Sequence, residues 1–190
     1  PFTTDHVLPA GRLRESRHGA ARADAIIVTK CDPQLSPAAR AAISEQVARY
    51  ARPGVPVLFS AYDYGAPVPV GQQAEVPAGA EVVLLTGIAQ PAPLRRYLEQ
   101  AGYRVVRHAR FPDHHAFTAA ELAELAAYLR PGQYVFTTQK DAARLQEPAL
   151  APQVARLPLY IVPIHVRFLA DGETRLRELL APLFQPHAVV

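Results

Sequence analysis

The chain has 190 residues, of which 49% are hydrophobic and 19% charged, enough for one sizeable core or for one small domain plus part of another, and this excludes a disordered or acidic-tail protein. Its 20 basic residues outweigh 17 acidic ones for a net charge of +3; nearly all are arginine, the only lysines being Lys30 and Lys140, a bias that suits phosphate or carboxylate contacts and that a GC-rich genome also produces. The single cysteine, Cys31, excludes an internal disulfide framework and fits a reducing cytoplasm, and no apolar run approaches the ~18 residues of a membrane span.

Along the chain, ADAIIVTK (23–30) predicts a buried strand. A helix follows, with Ser36 as its cap, Pro37 at its first position, and Ile43, Val47 and Tyr50 on its apolar face. VPVLFS (55–60) predicts the next strand, and residues 64–79, rich in Pro and Gly, read as a linker or domain boundary. Beyond it the alternation is regular. EVVLLTG (81–87) is a strand, 91–101 a helix ended by Gly102, and YRVVRHA (103–109) a strand. Thr118-Ala-Ala-Glu121 is a capping box that opens a helix running to about Arg130. QYVFTT (133–138) is a strand, 142–145 a short helix, LPLYIVPI (157–164) a strand, and 173–184 the final helix.

This order predicts an α/β fold, a mostly parallel sheet with helices on both faces. Ligands in such sheets bind at the carboxyl ends of the strands. Three polar clusters fall there: Thr86-Gly87, Asp113-His114-His115, and Thr137-Thr138 with Lys140 and Asp141. Adjacent residues of an extended loop point in different directions, so Asp113, His114 and His115 are not expected to chelate a metal, and no metal ligand set is expected. They serve either as a solvated loop or in proton chemistry or phosphate contact, since histidine titrates near neutrality. Lys140 either holds a phosphate or pairs with a neighbouring acid. Thr29-Lys30-Cys31-Asp32 follows a strand in the manner of a base-reading element, and Asp32 before Pro33 is equally a loop residue. Arg12 and Arg14 flank a glycine loop that could clamp an anion. No G-x-x-x-x-G-K-[ST] phosphate loop is present in these 190 residues.

LPAGRLRE (8–15), RADAIIVTKCD (22–32), LLTGIAQP (84–91), FPDHHAF (111–117) and TTQKDAARL (137–145), in this order, resemble the tetraacyldisaccharide 4'-kinase (lipid A 4'-kinase) family. The resemblance implies an ATP-dependent enzyme that phosphorylates the 4'-hydroxyl of a lipid-linked disaccharide at the cytoplasmic face of the inner membrane. It implies ATP and Mg²⁺ as cofactors, a lipid A disaccharide precursor and a membrane surface as partners, peripheral attachment, and no nucleic acid. It implies a P-loop domain and a Rossmann-like second α/β domain joined by a two-stranded hinge. On that basis the chain is expected to be the carboxyl-terminal part of such a kinase, inactive alone. Residues 1–64 would finish the P-loop domain, 65–80 form a Pro/Gly-rich hinge, 81–157 the second domain with its own core, and 158–190 a return hinge strand and final helix. His114 then matches a histidine that assists an upstream aspartate in activating the sugar hydroxyl, with Asp113 orienting the region. Arg14, and Arg12 beside it, would lie near the substrate phosphate. Lys30, Asp32, Thr138, Lys140 and Asp141 would lie on the nucleotide side. Gln139 stands where the family pattern has glutamate. Two other classes compete: a metal-dependent phosphoesterase, suggested by the letters DHH although the strands ending at Ser60 and Thr86 lack the further aspartates it needs, and a non-catalytic nucleotide-binding module.

Overall fold

The structure, a computed structural model, describes residues 2–71 and 74–184. The chain forms two compact units: residues up to Asp63 with those from Val166 onward, and Tyr64–His165.

In the first unit, β1 (Ile26–Cys31) leads to α1 (Pro37–Ala48) and then to β2 (Val57–Tyr64). The predicted cap is in place, with Ser36 Oγ accepting from the Ala39 nitrogen and Pro37 starting the helix where its missing N–H costs nothing. β1 and β2 pair in parallel, as a strand–helix–strand crossover requires.

The second unit carries a five-stranded sheet. Its elements are β3 (Val68–Pro69), β4 (Glu81–Thr86), α2 (Ala92–Gln100), β5 (Arg104–Arg110), α3 (Ala119–Tyr128), β6 (Tyr134–Thr138), α4 (Gln139–Leu145), α5 (Ala151–Val154) and β7 (Leu159–Val162). The strand order is β3-β7-β6-β4-β5, with β3 antiparallel and the others parallel. α2 sets Leu94 and Leu98 with Val82, Leu84 and Phe136 on one face. α3 sets Leu122 and Leu125 with Val83, Leu85 and Val135 on the other. Successive residues of β4 alternate between the two cores, so the whole strand reads as one apolar run. The α2 connection carries the chain from β4 to β5, and the α3 connection carries it back across β4 to β6. Strand order therefore reverses around β4, and such a reversal opens a crevice at the carboxyl ends of the strands.

Several elements differ from expectation: α4 begins at Gln139, before the expected 142, and α5 has no counterpart among the expected elements. The stretch read as a linker or domain boundary holds β3, which pairs with β7 at the edge of the second unit's sheet, and Val70 and Val76 pack against its two cores. A two-residue strand with a proline is too short to show a period. The single strand expected over 157–164 is two: β7, in the five-stranded sheet, and β8 (Ile164–Phe168), which lies beside β2 in a three-stranded sheet of order β1-β2-β8. Pro163, which has no N–H to donate, separates them. The last helix, α6 (Gly172–Leu180), ends earlier than expected and passes into a 3₁₀ turn, Ala181–Phe184. Among the described residues, no helix is long and apolar enough to cross a membrane.

Candidate functional site

The carboxyl ends of β4, β5 and β6 are tied together by the loops that leave them. Phe111 and His114 donate their backbone N–H groups to the carbonyls of Thr86 (2.7 Å) and Gly87 (3.2 Å), which pins the FPDHHAF loop to the end of β4. α4 starts directly from β6, with Thr138 as its N-cap accepting from the Asp141 nitrogen at 3.0 Å.

Asp141 is 0% exposed, and its carboxylate is fully engaged. Oδ2 accepts from the Gly87 nitrogen at 3.0 Å and from Thr138 Oγ1 at 2.8 Å, while Oδ1 accepts from Arg144 Nη1 at 2.9 Å. A buried carboxylate needs this many donors. The side-chain oxygens of Thr138 and Asp141, both expected on the nucleotide side, are engaged here by each other, by Gly87 and by Arg144. A side chain at Gly87 would be tightly placed: a Cβ there would lie 3.2 Å from Asp141 Oδ1 and 3.4 Å from the His115 Cβ.

His114 and His115 part at once. His114 has a φ of 64°, a left-handed conformation uncommon for a residue with a side chain. Its ring meets three charged groups. Arg144 Nη2 lies 3.2 Å from Nδ1, Lys140 Nζ 3.4 Å from Nε2, and Asp113 Oδ2 3.7 Å from Nε2. Its side chain is 74% exposed and so is open to a ligand. Lys140 Nζ also donates to Asp113 Oδ1 at 2.9 Å, and this bond is the main cause that holds the Asp113 carboxyl below the ordinary range. Lys140 is thus paired with a neighbouring acid in this structure.

His115 turns the other way. Its Nε2 lies 3.0 and 3.1 Å from the two Glu121 oxygens, and its ring stacks on Phe111 at 4.6 Å. Glu121 also closes the predicted capping box, accepting from the Thr118 nitrogen at 2.8 Å. His115 therefore anchors the loop to the start of α3, and the two imidazoles do not share a chelating geometry. Among the described residues, no group of three or more His, Cys, Asp or Glu side chains converges.

Beside His114 and Arg144 lies an open cleft of about 510 Å³, walled by Ala116, Phe117 and Ala143, with Gln146 and Glu147 also lining it. Arg144 and Glu121 carry no site role in the sequence reading, where Gly87 and His115 appear only as members of polar clusters at strand ends. For Arg144 a signal existed, since Asp141 and Arg144 sit three apart on a helix with opposite charges.

The remaining candidates belong to the first unit. Lys30 and Asp32 are exposed at the end of β1; Lys30 has a φ of 59°, and Asp32 Oδ1 accepts from the Gln34 nitrogen at 2.8 Å in a turn. Arg12 and Arg14 are exposed on a tight loop where the Leu8 nitrogen donates to the Leu13 carbonyl at 2.9 Å. Gly11 is required in that loop, because a Cβ would fall 2.2 Å from the His6 carbonyl oxygen.

Comparison with known proteins places these features in a family context. The family described as tetraacyldisaccharide-1-P 4'-kinase matches residues 1–185. Tetraacyldisaccharide 4'-kinase of Parabacteroides distasonis is 37% identical over 190 residues, covering 94% of this chain and 51% of the relative. That of Cytophaga hutchinsonii is 34% identical over 180 residues, covering 91% and 48%. The chain thus spans about half the length of the curated relatives it matches. The crystal structure of the "apo" form of LpxK from Aquifex aeolicus in complex with ATP superposes with a TM-score of 0.56 at 22% identity, covering 95% of this chain and 49% of that one, and so shares the fold.

Proposed function

The chain belongs to the tetraacyldisaccharide-1-P 4'-kinase family, and from that premise we propose that the protein containing it transfers the γ-phosphoryl group of ATP to the 4'-hydroxyl of a tetraacyldisaccharide 1-phosphate, a step of lipid A biosynthesis. The observation that carries this reading is the family match over residues 1–185, which includes every candidate site residue.

The local chemistry is compatible. Phosphoryl transfer needs positioning and charge stabilisation more than covalent chemistry. His114 offers an exposed imidazole at the edge where strand order reverses, and Lys140 and Asp113 flank it. In this proposal His114 acts on the sugar hydroxyl or on a carboxylate that takes its proton, and Asp113 fixes Lys140 beside it. Lys140 faces the nucleotide phosphates, while Thr138 and Asp141 support the edge without touching ligand. Lys30 and Asp32 are assigned to the nucleotide side, and Arg12 and Arg14 to the phosphate already on the disaccharide.

ATP supplies the transferred group when bound. Magnesium does not fit the carboxylates of this edge, because Asp113 Oδ1 is taken by Lys140 and both oxygens of Asp141 are engaged in the interior. We assign the ion's ligands to groups outside this cluster. A two-strand hinge at Asp63–Tyr64 and His165–Val166, where the chain passes between its units, and peripheral attachment to the cytoplasmic face of the inner membrane complete the proposal.

The test uses the full gene product containing these residues, with radiolabelled ATP and tetraacyldisaccharide 1-phosphate in detergent micelles. Label appearing at the 4' position supports the kinase reading. Release of phosphate from phosphoesters without transfer would replace it with the phosphoesterase.

A further inference from the structure

We propose that Arg144 is the positioning residue of His114, setting both the orientation of the ring and which of its nitrogens carries the hydrogen. A guanidinium has five N–H donors, no acceptor, and no deprotonated form in proteins. With Arg144 Nη2 3.2 Å from His114 Nδ1, a hydrogen bond forms only if Nδ1 presents its lone pair. A neutral imidazole then holds its one hydrogen at Nε2. The neighbours of Nε2 are mixed. Lys140 Nζ, a donor only, stands 3.4 Å away but has a shorter partner in Asp113 Oδ1 at 2.9 Å, and Asp113 Oδ2, the one acceptor beside the ring, stands at 3.7 Å, so the Arg144 contact at Nδ1 carries the assignment. The opposite tautomer would point a hydrogen of Nδ1 at the hydrogens of the guanidinium.

Arg144 can impose this because it is itself held. Its Nη1 donates to the Gly87 carbonyl at 3.1 Å and to Asp141 Oδ1 at 2.9 Å. Asp141 in turn is bonded to the ends of β4 and β6 through Gly87 and Thr138. Order passes from the sheet to Asp141, to Arg144, and then to an exposed histidine on a loop. His114 therefore meets a ligand as an N–H donor at Nε2, to an oxygen or a carboxylate, and not as a base with a free lone pair. The consequence for turnover rests on the kinase reading; the tautomer does not.

Long-range ¹H–¹⁵N spectra of the ¹⁵N-labelled 190-residue chain, with His114 assigned by its loss in His114→Asn, test the first part. The expected pattern is a protonated-type Nε2 and an acceptor-type Nδ1. Arg144→Ala should bring the two shifts together while the His115 signals stay in place. Because that substitution also strips Asp141 of its cation, a double variant, Asp141→Asn with Arg144→Met, is measured beside it and should show the same loss with the amide spectrum retained. Arg144→Lys should fail to restore the pattern, since an ammonium lacks the planar fork. An Nδ1–H tautomer in the unsubstituted chain, or an unchanged His114 pattern in both Arg144→Ala and the double variant, overturns the proposal. In the full gene product, Arg144→Ala should lower kcat with KM for ATP within about twofold, the mark of an interaction used in the transition state. The expected spectra together with no kinase activity in the unsubstituted protein would keep the positioning role and sink the kinase reading.

Discussion

The backbone nitrogen of Gly87 donates to Asp141 Oδ2 at 3.0 Å across 54 positions of chain. This bond joins the end of β4, which lies between β5 and β6, to the first turn of α4, and the candidate site is built on it. The acid lies wholly in the interior and is compensated by three donors.

Removing that carboxylate should therefore be felt by the whole second unit. Asp141→Ala leaves Arg144, whose side chain is only 21% exposed, without its anion. Breaking such a pair costs about 3–5 kcal/mol. Asp141→Asn, which keeps an acceptor and the shape, should cost less. Urea unfolding followed by far-ultraviolet circular dichroism measures both. A loss below about 1 kcal/mol for the alanine variant would mean that the acid carries only the worth of one ordinary hydrogen bond.

Gly87→Ala tests the close approach from the other side. The new methyl would meet Asp141 Oδ1 at 3.2 Å, and that oxygen cannot retreat without losing Arg144. Overpacking of this kind costs about 1–3 kcal/mol. Thermal melts of the chain should show the loss, and activity of the full gene product should fall further than stability does, because the displaced loop carries His114. Wild-type stability and turnover together would show that the edge has slack.

The two histidines should separate in kinetics. His114→Ala in the full gene product should lower kcat by about 10²- to 10³-fold, as expected for a lost donor at a reacting centre. His115→Ala removes the bonds to Glu121 and the stack on Phe111 instead, and should lower stability by about 1–2 kcal/mol with a smaller effect on kcat. Steady-state kinetics at temperatures where both variants are folded decide this. Equal kcat losses would mean that the loop acts as one unit, and no loss in either would make it a solvated loop.

Glu121 gives the fold an acid-side pH dependence. Burial pushes its carboxyl up, but hydrogen bonds from His115 and Thr118 outweigh this and hold it below its ordinary value. A carboxyl lowered on folding contributes stability above its unfolded value, and loses it as pH falls through the lower folded value. Glu121→Gln keeps a side chain that can serve the capping box and removes the titration. Urea midpoints measured from neutral pH into the acid range should fall less steeply in this variant than in the native chain. Asp113, also held low by Lys140, should leave part of the slope in place. Identical slopes would remove Glu121 from the account.

Several features are legible without a structure because their causes are local. The Thr118–Glu121 capping box and the Ser36 cap with Pro37 are relations three residues apart or closer, and they form as read. The apolar runs of β4 and β6 announce strands buried on both faces. The alternation of strands and helices then puts the FPDHHAF and TTQKD segments at one sheet edge. The divergence of His114 and His115 also follows from adjacency in a loop.

The partners of those segments are another matter. Nothing within a few residues of His114 points to Arg144, 30 positions away, and nothing near Gly87 points to Asp141. These bonds exist because β4 lies between β5 and β6, so that three separate loops end side by side, and strand order is decided by packing of the whole sheet. The same holds for β3, whose two residues carry no period and become a strand only against β7, and for Pro163, which splits one apolar run between two sheets. Periodicity and capping act over one or two turns of chain. Hydrogen bonds between strand ends depend on which elements the hydrophobic core brings together, and only the folded chain decides that.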